Sequence, residues 1–109
     1  MKIIFDKLDT KIIPNFQGGE KEFQAKMYTD EINKIFKGVL VAGASIGLHK
    51  HETSSEIIYV ISGSGKIICD GEEIRVSSGE CHYCKKGSSH TFINDTKEKI
   101  EFFAVVCNQ

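Results

Sequence analysis

The chain is predicted to be a single all-β domain, on three observations. Short apolar runs recur along it with turn residues between them, as in sandwiches and small barrels. Glycine is frequent (10) and proline nearly absent (1). The one stretch that reads as helical, Asp30–Lys37, offers a turn or two at most. A length of 109 residues suits one domain, large enough to bury about two-thirds of its unfolded surface without staples.

In order, strands are expected at Lys2–Leu8, Phe23–Tyr28, Val39–His51, Ile57–Ser62, Lys66–Asp70, Glu73–Val76, Glu80–Cys84, His90–Asn94 and Ile100–Val106. The turns between them carry their own chemistry. Asp70-Gly71 suits a type I′ hairpin turn, Ser62-Gly63-Ser64-Gly65 a longer connection, and Ser77-Ser78-Gly79 a third. No repeat, linker or low-complexity block interrupts the pattern. Within Val39–His51 the even positions Leu40, Ala42, Ala44, Ile46 and Leu48 are apolar, while Gly43, Ser45, Gly47, His49 and His51 alternate with them. Read as one strand, this sends a greasy set to one face and a small, polar set ending in two imidazoles to the other.

Charge and composition narrow the function classes. With 40% hydrophobic and 27% charged residues, this is an ordinary soluble globular composition. A formal net charge of −1 argues against nucleic acid as a partner, since phosphate neutralisation needs a basic face. Arg75 is the sole arginine, and it is read as solvated. The longest apolar stretch, Val39–Leu48, is too short to span a bilayer and is broken by Gly43, Ser45 and Gly47, so no membrane role is expected. The opening MKIIFDKLDTK places charges where a signal peptide needs an apolar run, which predicts a cytoplasmic protein with its four cysteines reduced.

Three of the four histidines fall in a strict pattern. His49 and His51 form an i, i+2 pair whose rings project the same way from an extended segment; Glu56 opens the next apolar run, and His90 begins a later strand. Three imidazoles and a carboxylate, with no thiolate, suit one divalent transition metal (Fe, Mn, Ni, Co, Zn or Cu) and leave positions open for substrate, water or dioxygen. The same histidines would also serve as the polar lining of a barrel that holds no metal.

The segment Gly43-x5-His49-x-His51-x4-Glu56-x6-Gly63 resembles the first motif of the cupin family. Gly79-x5-Lys85-x-Gly87-x2-His90-x3-Asn94 resembles the second, with Lys85 where the family usually has proline. The motifs cover Gly43 to Asn94, and the 15 residues between Gly63 and Gly79 are at the short end for the family. The resemblance implies a cupin-type jelly-roll barrel of two antiparallel sheets, with a metal held by His49, His51, Glu56 and His90 and a small-molecule pocket in the barrel mouth. It also implies a homodimer, for which the greasy even face of Val39–Leu48 offers a surface to cover.

Other residues are read beside these. Cys81 and Cys84 form a CxxC, but on a strand they point to opposite faces, so two small buried hydrophobes are expected rather than a redox or zinc pair. His82 shares the face of Cys84; if that face is interior, His82 becomes a candidate catalytic acid or base, and otherwise a hydrogen-bonded or solvent-facing ring. Phe92 shares the face of His90 and is placed in the pocket wall or the core, and Phe102 and Phe103 in the core. Asn94 is read as closing a turn, and Lys85-Lys86 as solubilising. The function expected is a metal-dependent enzyme of dioxygenase or isomerase type acting on a small molecule, or alternatively a non-catalytic small-molecule or metal-binding module. A decarboxylase would need a second carboxylate near the metal, and Glu52 is the nearby candidate.

Overall fold

The computed structural model describes residues 1–109 as ten strands in two antiparallel sheets. In chain order they are β1 (Lys11–Pro14), β2 (Glu22–Thr29), β3 (Asn33–Leu40), β4 (Ser45–Lys50), β5 (Ser54–Ser62), β6 (Ser64–Cys69), β7 (Glu72–Ser77), β8 (Cys81–Cys84), β9 (Ser89–Ile93) and β10 (Ile100–Asn108). One sheet runs β1-β2-β3-β10-β5-β8 and the other β4-β9-β6-β7. The expected cupin-type jelly roll is what forms. The Asp70-Gly71 hairpin has positive φ at both residues (50° and 80°), as a type I′ turn requires.

The inner faces meet in a core centred on Phe102, which is fully buried. Phe23 stacks on its ring at 5.8 Å between centroids, and Phe36 and Phe92 meet it edge-on at 6.1 and 5.2 Å. Gly38 makes room for it: a Cβ there would meet the Phe102 ring at 2.5 Å. Phe103, expected in the core, lies instead on the outer face of β10 against Phe5, because successive strand residues alternate.

Three further expectations are corrected. Lys2–Leu8 is not a strand; it holds a 3-10 turn at Phe5–Lys7, and pairing begins with β1. Asp30–Lys37 is not helical. Asp30 Oδ1 accepts the backbone N–H groups of Ile32 and Asn33 at 2.9 and 2.7 Å, closing a turn that feeds β3. There β3 sits between β2 and β10 with both edges paired, and tertiary pairing overrides its weak helical character. Val39–His51, finally, is not one strand. It comprises the end of β3, a reversal at Gly43 (φ 78°) and β4.

Within β4 one extra residue is inserted opposite β9: Ile46 pairs with Phe92 and His49 with His90. This bulge breaks the even–odd alternation. Ile46 and His49 both turn inward, while Leu48 is thrown outward and is 67% exposed. Gly47 fits the crossing because a Cβ there would run into the backbone of Gln17. The greasy even face therefore divides: Leu40, Ala44 and Ile46 are core, and the set is no dimer surface. Asn94 does close a turn, and it is fully buried. Its side-chain N–H groups donate to the carbonyls of Leu40, Val41 and Glu98, tying the β9 exit to the β3 end. Arg75 is exposed yet not free, donating to both Asp95 carboxylate oxygens at 2.7 Å.

Candidate metal centre

His49 on β4, His51 just past its end, Glu56 on β5 and His90 on β9 converge between the two sheets. His49 and His90 are register partners across the β4–β9 pair. His51 is pinned to the loop before β9 by its N–H donating to Ser88 O (2.9 Å) and by Gly87 N–H donating to its own carbonyl (2.7 Å). Position 85, where the usual motif proline is replaced by lysine, lies in this same loop, whose closure is supplied by these backbone bonds and by Ser88 N–H to Lys85 O at 3.0 Å.

Each imidazole is held from behind at Nδ1. His49 Nδ1 donates to Gly47 O at 2.8 Å, which fixes its proton there, because a carbonyl can only accept. His51 Nδ1 lies 2.8 Å from Ser54 Oγ, and His90 Nδ1 lies 3.1 Å from His82 Nε2. In neutral rings with those protons at Nδ1, all three Nε2 lone pairs face one another and the Glu56 carboxylate. Four electron-rich atoms then point at a common centre, an arrangement that a cation completes.

The spacing fits a cation as well. His51 Nε2 and His90 Nε2 are 3.0 Å apart, His90 and His49 3.2 Å, and Glu56 Oε1 lies 3.1, 2.9 and 4.0 Å from His51, His90 and His49. Bonds of about 2.1 Å at right angles would put neighbouring donors about 3.0 Å apart and opposite donors about 4.2 Å apart. The five separations, 2.9 to 4.0 Å, fall within the range that donors sharing one cation would span.

Electrostatics agree with this geometry. Burial by itself would raise the Glu56 carboxyl, but in the metal-free chain Nε2–H groups of His51 and His90 donate to it and hold its pKa at about 2, so the group is an anion; a bound cation would take the place of those two protons. Burial lowers the pKa of His49 and keeps its ring neutral, the ligating form. The centre opens into a cavity of about 610 Å³, lined by Phe16, Phe23, Phe36 and Phe92 on the apolar side and by Lys11, Lys34 and Lys50 among its polar groups.

His82 is interior, as the face it shares with Cys84 requires, and is 5% exposed. It does not line the cavity; it stands behind His90. Burial and the neighbouring His90 push its pKa down to about 4. Cys81 is exposed, against the expectation of a buried hydrophobe, whereas Cys84 is fully buried and points the other way. All four cysteines are free. Burial raises the thiol pKa of Cys84 to about 12 and also that of Cys69. The sequence reading left Cys69 without a role; it lies beside His82 and Cys84. Glu52 is exposed and outside the cavity lining. Lys85 and Lys86 are exposed, as expected. No helix is long and apolar enough to cross a membrane.

Comparisons with known proteins agree on the family. A protein-family model described as a cupin domain matches residues 37–106. An oxalate-binding protein of Thermotoga maritima is 34% identical over an alignment of 100 positions that covers 86% of this chain and 83% of that protein. A solved structure described as a predicted oxalate decarboxylase of Thermotoga maritima superposes with a TM-score of 0.93 at 26% identity, covering 100% of both chains. The structure of KdgF from Halomonas sp. superposes at 0.77 with 18% identity, covering 97% of this chain and 92% of that one, and shares the fold.

Proposed function

Since the chain belongs to the cupin family, we propose that it holds one divalent transition metal through His49, His51, Glu56 and His90 and binds a small dicarboxylate of the oxalate class beside it. The observation that carries this reading is the donor cluster at the cavity floor: three imidazole nitrogens and a carboxylate oxygen would hold the metal, and all four residues line a cavity where a ligand could reach it. When bound, the metal supplies positive charge and Lewis acidity to that ligand. The chain's own groups do the rest. Lys11, Lys34 and Lys50 bring positive charge to the cavity, and the phenylalanine wall excludes water around the ligand. The relatives named for oxalate support the ligand class. The imidazole–carboxylate donor set is compatible with Fe, Mn, Ni, Co, Zn or Cu.

Binding fits this cavity better than turnover. Decarboxylation or isomerisation needs a proton donor or base within reach of the ligand. Apart from Glu56, the carboxylate in the lining is Asp30, which already accepts the N–H groups of Ile32 and Asn33, and the lining lysines Lys11, Lys34 and Lys50 are assigned to the charge of the ligand. His82 acts on the centre through His90, as a positioning residue that accepts the Nδ1–H and keeps the His90 Nε2 lone pair on the metal. A dioxygenase would use the same cavity-facing side of the centre, and oxygen uptake on a substrate panel would favour it. The homodimer reading moves to the outer face of the six-stranded sheet, where Ile57, Tyr59, Ile61 and Tyr83 are exposed together and Ile57 is the register partner of Tyr83.

Two measurements test the reading: metal content of the purified protein, and calorimetric titration of oxalate into metal-loaded and metal-stripped chains. One ion per chain, with oxalate binding only the loaded form, is the expected result. His49→Ala and Glu56→Ala are expected to lose most of that metal with the β-sheet circular dichroism unchanged. Full metal content in both variants would overturn the ligand set, and equal oxalate affinity with and without metal would overturn the ligand's placement.

A further inference from the structure

Beside the imidazole–carboxylate cluster lies a second group of donors that the reading above does not use. Cys84 on β8 is the register partner of Glu56, and Cys69 at the end of β6 is the register partner of His90. The two cysteines thus come from different sheets and meet behind the first cluster, on the side occupied by His82. Their two sulfurs and a ring nitrogen of His82 all lie within 4.8 Å of one another.

We propose that Cys69, Cys84 and His82 form a second metal site, selective for a soft, thiophilic d10 cation. The distances need little change. Bonds of about 2.3 Å to sulfur and 2.1 Å to nitrogen in a tetrahedral arrangement place sulfurs about 3.8 Å apart and sulfur and nitrogen about 3.6 Å apart. Closing from at most 4.8 Å is a shift of about 1 Å or less, within reach of side-chain rotation. The donor types separate the two sites: nitrogen and carboxylate oxygen in the first, two sulfurs and a nitrogen in the second, which rank metals differently by softness. Cys84 and His82 are buried, while Cys69 is partly exposed and offers the way in from solvent. Cys81, on the opposite face of β8, takes no part. Loading the site with a divalent ion forms two metal–sulfur bonds and one metal–nitrogen bond, releases the two thiol protons to solvent, and moves no electrons.

The two sites share His82 and therefore oppose each other. With metal on His90 Nε2, the neutral His90 ring carries its proton on Nδ1, 3.1 Å from His82 Nε2, and needs an acceptor there. An ion on His82 Nδ1 moves that ring's proton to Nε2 and sets two N–H groups against each other. An ion on His82 Nε2 removes the acceptor outright. In either case filling the sulfur site weakens the hold on the first metal.

The test is a titration of the reduced, metal-stripped full chain with Cd2+, followed by thiolate-to-cadmium ultraviolet absorption and by native mass spectrometry. The absorption is expected in the parent chain and in Glu56→Ala, and expected to vanish in Cys69→Ser and in Cys84→Ser, each taking up one ion fewer than the parent. Cys69 is partly exposed, so Cys69→Ser carries the test should Cys84→Ser fold poorly. Absence of the absorption in the parent chain would overturn the site. So would its persistence in both serine variants, which would trace it to Cys81 or Cys107. The Glu56→Ala arm separates this result from the fate of the first cluster, because the sulfur site is expected to survive when the first cluster is disabled.

Discussion

Two halves of one interior differ by a single strand step. Along β9 the inward residues are His90 and then Phe92; along β5 they are Glu56 and then Ile58 and Val60. On one side of that step the sheets enclose imidazoles and a carboxylate, and on the other a packed aromatic cluster around Phe102. The backbone is the same double sheet in both. What separates them is side-chain chemistry: the apolar half gains free energy by excluding water, whereas the polar half gathers imidazoles and a carboxylate that could hold a cation. The barrel is therefore expected to be stabilised from one half and to work from the other.

The sharpest way to break this comparison is to damage the apolar half alone. Phe102→Ala removes the ring that Phe23, Phe36 and Phe92 all touch and leaves a cavity above Gly38. Stability is expected to fall by about 3–5 kcal/mol in denaturant titrations. The folded fraction is still expected to take up metal with affinity close to that of the parent chain, since no donor or donor partner is altered. A loss of affinity as large as that of Glu56→Ala would show that the halves are one unit.

The next effect is smaller and lies in the polar half. His82→Leu takes away the acceptor for His90 Nδ1 and is expected to weaken metal binding 10–100-fold, or about 1.4–2.7 kcal/mol, while every ligand remains. His82→Gln keeps an acceptor and is expected to recover part of the loss. Competition with a metallochromic chelator reads both variants; equal affinities for the two would show that His82 only fills space.

The two halves also differ in how openly the sequence displayed them. That His49, His51, Glu56 and His90 come together was legible because the i, i+2 histidine pair shares one side of an extended segment and the resemblance to the two cupin motifs brings Glu56 and His90 to it. The aromatic core was half legible, since alternation places one of Phe102 and Phe103 inside without saying which. The bulge in β4 was not legible, because one inserted residue shifts every later side chain to the other face while leaving the composition unchanged. β3 was hidden for a different reason: its Asn33–Lys37 portion has mixed propensity, and only the pairing of both its edges makes it a strand. The grouping of Cys69 with His82 and Cys84 joins two sheets, which no local spacing encodes.

The smallest expected effect tests whether the polar half costs stability when no metal is present. Burial holds His82 at about 4, against an ordinary 6.5 in the unfolded chain. Between those values the unfolded chain binds a proton at this position and the folded chain does not. Stability of the metal-free protein from this group is thus complete above pH 6.5 and declines as the pH falls toward 4, with a slope of at most about 1.4 kcal/mol per pH unit. Glu56, held at about 2, keeps its contribution until the pH drops below its ordinary 4.5, so it is silent over most of this window. Burial acts on His49 in the same direction as on His82, which makes the difference between parent and variant the quantity to read. Denaturant midpoints of metal-free protein at pH 7 and pH 5 are expected to fall more steeply for the parent than for His82→Gln, which has no proton to take up. Parallel declines would mean that His82 takes its proton as readily in the folded chain as in the unfolded one.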